Sequence, residues 1–165
     1  MSYLKVFVLL MLAFFISSCQ KDQLPRIWQG EVKIVLDGDT IDVSRNGTDV
    51  RIRFYGIDCP ENSQNYGEEA KTFINNRIHG QTVTIQEMDS GPDKYNRTLA
   101  KVIHNQEILN QILIENGLAW VYDNYCLETF CTEWQALETQ ARDGSRGLWS
   151  ESSPQAPWDY RHTNP

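Results

Sequence analysis

Apolar and polar residues alternate along much of this chain, and the alternation predicts a run of strands. From Trp28 to Leu36, Val32, Ile34 and Leu36 fall on one face, with Lys33 and Val35 on the other. Asp37-Gly38-Asp39 reads as a turn. Thr40 to Arg45 repeats the alternation through Ile41 and Val43, and Asn46-Gly47 is a strong hairpin signal. It leads into a third strand, in which Val50, Ile52 and Phe54 oppose Arg51, Arg53 and Tyr55. The period then changes. Ala70, Phe73, Ile74 and Ile78 form one stripe of a helix over Gln64 to Ile78, ended by Gly80. Thr82 to Met88 and Arg97 to His104 alternate again, around a polar loop from Asp89 to Asn96. Ile108 to Asn116 is a short helix closed by Gly117. Thr132 with Gln135 has the spacing of a capping box for a last helix, Glu133 to Asp143, that buries Trp134, Leu137 and Ala141. The stretch 151–165 holds three prolines and little periodicity, and reads as a wrapping or mobile extension. This element order predicts an α+β fold, mainly β: a five-stranded OB-type barrel with about three packed helices.

Composition narrows the picture at the N-terminus. Lys5 precedes an apolar run from Val6 to Ile16, too short to span a bilayer, followed by Ser17-Ser18-Cys19. The ending resembles a bacterial lipobox, so 1–18 is expected to be a lipoprotein signal peptide. Cys19 is then the lipidated first residue of an anchor and tether over 19–26. The main domain spans 27–150 and the extension 151–165. Such a protein is exported and membrane-anchored through its N-terminal lipid. It faces the periplasm of a two-membrane bacterium, where Gln20 suits outer-membrane sorting, or the surface of a one-membrane bacterium. Export permits disulfides, and Cys126 and Cys131 are close enough in sequence to pair. Neither has a nearby His or second Cys pair for a metal. Cys59 is left as a free, buried thiol. His79, His104 and His162 are isolated and carry no chemistry.

With 165 residues, 41% of them apolar and 22% charged, the chain has room for one ordinary globular domain. Its formal charge of −7 excludes a binder that relies on an overall basic surface. Cleavage after residue 18 removes Lys5 and no acid, which makes the mature chain more negative still. A local basic site, aided by a bound cation, remains compatible with that charge.

The chemistry concentrates in one stretch, Arg51 to Glu61. A strand there holds arginines on its polar face and delivers Asp58 and Glu61 just past its tip. Guanidinium groups suit phosphate, and close carboxylates hold a cation or move protons. Alone, each part has an ordinary reading as a strand face, a turn or a strand exit. Three motifs in order do not. Val35-Leu36-Asp37-Gly38-Asp39-Thr40, then Arg51 through Ile57-Asp58-Cys59-Pro60-Glu61, then Asp93-Lys94-Tyr95-Asn96-Arg97-Thr98-Leu99-Ala100, together resemble the thermonuclease (staphylococcal nuclease-like) family. Gly117-Leu118-Ala119 and Gly147-Leu148-Trp149 are similar to its weaker downstream signatures, so the resemblance spans roughly residues 28 to 150.

The resemblance implies a calcium-dependent, sequence-nonspecific endonuclease that hydrolyses DNA and RNA, cutting the P–O5′ bond. It implies one Ca²⁺, held by Asp39, Asp58 and the Cys59 backbone carbonyl. Glu61 would orient or deprotonate the attacking water, and Arg53 and Arg97 would grip the phosphate. Lys94 and Tyr95 match positions that contact a terminal phosphate. Tyr122 and Tyr125 are candidates either for base stacking or for packing. Arg51 reads as surface. No obligate protein partner is implied. A non-catalytic binding module for nucleic acid or protein is the alternative, although the complete set Asp39, Arg53, Asp58, Glu61 and Arg97 argues against it. The chain also departs from the family pattern. Only Asn62 to Asn65 separate Glu61 from the first helix, without a lysine, and Cys59 replaces a threonine.

Overall fold

A computed structural model describes residues 26–164. The expected signal peptide, Cys19 and nearly all of the tether lie outside the described residues. Among the described residues, no helix is long and apolar enough to cross a membrane.

Strands β1 (Ile27–Val35), β2 (Thr40–Arg45) and β3 (Thr48–Phe54) form an antiparallel meander. Between β2 and β3, Asn46 and Gly47 both have positive φ, at 51° and 81°. Two such residues in a row make the type I′ turn that matches strand twist, and Gly47 accepts it without strain. A two-residue strand, β4 (Ile57–Asp58), follows, and helix α1 (Gly67–Ile78) comes next. Strands β5 (Thr82–Pro92) and β6 (Thr98–His104) then return antiparallel. The short β7 (Glu107–Ile108) extends the sheet, whose order is β3-β2-β1-β5-β6-β7. Parallel pairing of β3 with β6, with Ile52 opposite Thr98 and Phe54 opposite Ala100, closes five of these strands into a barrel. The expected α+β, OB-type barrel is the observed architecture.

The barrel interior is filled by Val32, Ile41, Val43, Ile52, Phe54, Val83, Ile85, Ala100 and Val102, all at most 1% exposed. One face assignment needs correction. Ile34 is 52% exposed while Val35 is buried. The β1–β2 register shifts between Val32 and Ile34. That bulge inserts a residue and turns the last part of β1 over.

Helix α2 (Leu109–Glu115) caps one end of the barrel. Its Asn110 is fully buried and fully used. Oδ1 accepts from the Val102 N–H at 3.0 Å, and Nδ2 donates to the carbonyls of Tyr55 at 3.0 Å and Ala100 at 3.2 Å. This one side chain therefore stitches the end of β3 to β6. The two-residue β8 (Trp120–Val121) pairs with β4, placing Trp120 opposite Asp58.

Helix α3 (Cys131–Asp143) buries Trp134 and Ala141, and Leu137 packs against the core at its edge. Its start corrects the capping-box reading. Phe130 is the N-cap and no side chain caps the helix, while Gln135 instead donates to Asp123. Cys131, at the first helical position, is disulfide-linked to Cys126 with Cα atoms 5.7 Å apart. A 3₁₀ turn (Gly147–Ser150) follows, and then a fourth helix, α4 (Pro157–Thr163). The extension is thus neither featureless nor merely a wrap. Pro157 occupies the first turn of α4, where its missing N–H costs nothing.

Candidate active site

The site is built where the barrel's turns meet. Asp39 sits in the turn between β1 and β2, and its N–H donates to the Asp37 carboxylate at 2.9 Å, tightening that turn. Arg53 is the penultimate residue of β3 and lies opposite Thr40 in register, next to Asp39. Asp58 is held in β4 by pairing with β8.

These three side chains meet in the interior. Arg53 Nη1 lies 2.6 Å from Asp39 Oδ2, and Nη2 lies 2.6 Å from Asp58 Oδ1. The side chains are 11%, 6% and 2% exposed for Arg53, Asp39 and Asp58. The Cys59 backbone N–H also donates to Asp39 Oδ2, at 2.6 Å, and the Thr40 hydroxyl donates to Oδ1. One guanidinium therefore spans two buried carboxylates.

Charge and burial compete here. Burial pushes the Asp39 carboxyl well above the usual carboxylate range; Asp37 and Asp58 add to the rise, and Arg53 opposes it. Burial works against the Arg53 charge, but Asp39 and Asp58 outweigh it and hold the guanidinium more firmly protonated than usual. Burial, with Asp39 beside it, raises the Cys59 thiol well above its ordinary value, so this free cysteine is chemically quiet.

Glu61 lies at the mouth. Its backbone is fixed from two sides: its N–H donates to Gln64 Oε1, and its carbonyl abuts Gly67, where any Cβ would collide with it. Its carboxylate is reached by a residue that sequence reasoning missed. Arg161, from α4, lies 2.7 Å from Glu61 Oε1 and 2.8 Å from Asp58 Oδ2. The Asp58 and Glu61 carboxylates hold its guanidinium above its ordinary pKa, against the opposing effect of burial. Two sequence signs point to α4, namely Pro157 at a helix start and Arg161-His162 in the last turn. Neither says where the helix docks.

Tyr122 stands beside this group. Partial burial and the Asp58 charge raise its hydroxyl pKa, while Arg161 lowers it. Its ring stacks on Trp158 of α4, with centroids 4.9 Å apart and planes 10° apart. One face of Tyr122 is therefore taken by the protein itself.

The remaining expected residues form a second group. Arg97 enters β6 one residue before Thr98, the partner of Ile52. Its guanidinium is held by Asp93, with Nη2 to Oδ2 at 2.7 Å and Nε to Oδ2 at 2.8 Å. Backbone and side-chain hydrogen bonds from Arg97 keep Asp93 below the usual carboxylate range despite partial burial. Lys94 and Arg97 both lie over the exposed ring of Tyr95, at 4.9 and 5.3 Å. Among the described residues, no hydrogen bond or ion pair joins this group to the Asp39–Arg53–Asp58 cluster. Arg51, read as surface, is half-exposed and makes a forked pair with Asp42 at 2.8 and 2.9 Å. An open depression lined by Arg45, Arg51, Glu87 and Tyr95 adjoins this second group. Its arginines are paired with Glu87 and Asp42.

Among the described residues, no three or more His, Cys, Asp or Glu side chains converge as a metal cage. The donor set nevertheless fits a hard divalent cation. Asp39, Asp58 and Glu61 offer only oxygen, and these three carboxylates outnumber the two guanidiniums, Arg53 and Arg161, paired with them.

A closed barrel that presents an arginine between buried carboxylates, with a further carboxylate at the rim, is the framework of a phosphate-handling hydrolase. Residues 51–151 match the family model described as Staphylococcal nuclease homologue, and the chain belongs to that family. It is 38% identical over 134 residues to an "Uncharacterized endonuclease" of Escherichia coli O157:H7, across 81% of this chain and 84% of that one. It is 34% identical over 146 residues to a "Micrococcal nuclease" of Shigella flexneri, across 83% of this chain and 82% of that one. A "Staphylococcal-like nuclease CAN1" of Arabidopsis thaliana is 32% identical over 111 residues, which are 67% of this chain and 33% of the plant protein. The protein is a nuclease that hydrolyses phosphodiester bonds.

Proposed function

We propose that this nuclease is a calcium-dependent, sequence-nonspecific endonuclease that acts on both DNA and RNA, cuts the P–O5′ bond and leaves 3′-phosphates. The observation that carries the reading is the buried triplet Asp39–Arg53–Asp58, with both carboxylates 2.6 Å from one guanidinium. Asp39, Asp58 and the Cys59 carbonyl would hold a single Ca²⁺, which when bound supplies Lewis-acid polarisation of the phosphate.

The chain's own residues do the rest. A guanidinium has five N–H donors, and the two carboxylates leave some of those on Arg53 for phosphate oxygens. Arg97 approaches from β6 and, released from Asp93, offers a second fork to the phosphate. Hydrolysis spreads negative charge over the equatorial oxygens. Forked donors that tighten there lower the barrier, which lysine cannot copy. Glu61 accepts a hydrogen bond from the attacking water and directs it in line with the leaving 5′ oxygen. Lys94 and Tyr95 contact a terminal phosphate of the substrate, and the edge of Tyr122 lies against a base. Recognition through phosphate and one aromatic edge carries no base sequence, which accounts for the proposed lack of specificity.

The same reading makes Cys19 the lipidated residue and the membrane the protein's location. The test is cleavage of single-stranded DNA, double-stranded DNA and RNA by mature protein, first with Ca²⁺ and then with chelator. Calcium-dependent cutting of all three is expected. No calcium-dependent cutting of any of them, at any salt concentration, overturns the proposal.

A further inference from the structure

Helix α4 is fastened to the site's rim along its whole approach. The Tyr66 hydroxyl meets Ser150 at 2.8 Å, Asn65 donates to Glu151 at 2.9 Å, and Gln64 donates to the Gln155 carbonyl at 2.6 Å. The Tyr160 hydroxyl meets Ser63 at 3.1 Å. Trp158 stacks on Tyr122 and meets Trp120 edge-on at 5.6 Å. The partners Ser63 to Tyr66 lie in the short link between Glu61 and α1. So many anchors build a wall of the site, not a tail resting on it.

The wall delivers one cation. Arg161 is 43% exposed at its side chain, and its two terminal nitrogens bridge Asp58 and Glu61. Its partners are the buried carboxylate of the triplet and the carboxylate at the mouth, so it stands between the interior and solvent. Asp37, Asp39, Asp58 and Glu61 give the site four carboxylates, and apart from Arg161 only Arg53, among the described residues, is ion-paired with any of them. A phosphodiester entering such a mouth of a chain with formal charge −7 meets net repulsion.

We propose that Arg161 is a third substrate-binding arginine of this nuclease, which grips a backbone phosphate at the mouth and is positioned by the Trp158–Tyr122 stack. The inference rests on the nuclease reading of the same site. The long Arg161 side chain swings from Asp58 and Glu61 to the phosphate while α4 stays docked. The swing exchanges one set of charge-assisted hydrogen bonds for another and frees the Glu61 carboxylate.

The experiment compares wild-type mature protein with Arg161→Ala and Arg161→Lys, on a fluorescent single-stranded oligonucleotide at saturating Ca²⁺ and several salt concentrations. Calcium binding is followed separately by the rise in melting temperature. Arg161→Ala should raise KM about 10-fold with a smaller change in kcat. It should also make the plot of log affinity against log salt shallower by about 0.7, the share of one phosphate contact on a single strand. Arg161→Lys should restore the salt slope and only part of the affinity, because it lacks the fork. A merely structural role would not move the salt slope. Unchanged KM and slope in Arg161→Ala overturn the proposal. So does a variant that cuts faster and binds calcium more tightly, which would make Arg161 a plug. A wild-type chain without calcium-dependent cleavage overturns the nuclease reading itself; a fully active Arg161→Ala overturns this inference alone.

Discussion

Asn110→Ala tests whether the barrel closure that aligns the two proposed phosphate-binding arms rests on one buried amide. The closure is the parallel β3–β6 pair, which places Arg53 near the end of one strand and Arg97 just before the other. Asn110 is 0% exposed and makes three hydrogen bonds to backbone groups there. The Ala100 carbonyl keeps a second donor, the Tyr55 N–H at 2.8 Å. The Val102 N–H and the Tyr55 carbonyl lose the partner that Asn110 gives them. Each buried orphan costs about 1–3 kcal/mol, and the small cavity adds to it, so we expect a loss of about 3–4 kcal/mol. For a chain of this size that is about 10 °C in Tm. Urea and thermal melts followed by tryptophan fluorescence measure it. Asn110→Asp is the control: it keeps an acceptor for Val102 but turns an oxygen toward two carbonyls, and should cost at least as much. A loss under about 1 kcal/mol in Asn110→Ala, with unchanged m-value, would refute the account.

Three further outcomes are expected. Arg53→Lys and Arg97→Lys should each lower kcat by about 100-fold or more while leaving the protein folded, since a point charge cannot reproduce the fork; single-turnover cleavage and circular dichroism separate the two effects. Asp58→Ala should abolish the rise in melting temperature on adding Ca²⁺, and an undiminished rise counts against Asp58 as a ligand. Glu138→Gln should change the pH dependence of stability. Burial raises the Glu138 carboxyl above its ordinary value, while the Val121 N–H at 3.0 Å and Arg142 oppose the rise. A carboxyl raised on folding favours the fold below its unfolded pKa of about 4.3, and that contribution is lost as pH rises through the higher folded value. The advantage of Gln, which keeps the Val121 acceptor, should therefore grow from about pH 4 upward; urea melts showing a pH-independent difference would contradict this.

The strands were legible because alternation and turn chemistry agree with the barrel. Asn46-Gly47 shows the general case, since its backbone demands one turn type and the flanking strands accept it. The errors came where a single residue outweighs the pattern. Alternation cannot reveal the inserted residue that turns Ile34 outward and Val35 inward. The capping-box spacing of Thr132 and Gln135 is genuine, but tertiary contacts set the helix start. Phe130 packs on Trp134 at 4.7 Å and on Tyr55 at 6.1 Å, and the disulfide draws Cys131 into the first turn.

The site divides along similar lines. Asp39, Arg53, Asp58 and Glu61 lie within one meander and its exit, so their proximity follows from local turns that the sequence displays. Arg161 lies 100 residues beyond Glu61 and 103 beyond Asp58. No local pattern encodes that approach. Its anchors are scattered, exposed hydrogen bonds and one aromatic stack, each within the ordinary surface repertoire of Ser, Asn, Gln and Tyr. What gives them meaning is charge. Two carboxylates buried around one guanidinium are an acidic surplus that a stable fold must offset, and the chain elsewhere is acidic as well. The proposed Ca²⁺ would offset part of it, and Arg161, reaching in from a short helix, pairs with Asp58 and Glu61. The acidic surplus itself is visible in the motifs and reads as a demand for a metal ion; that a distant arginine also meets it is not visible there.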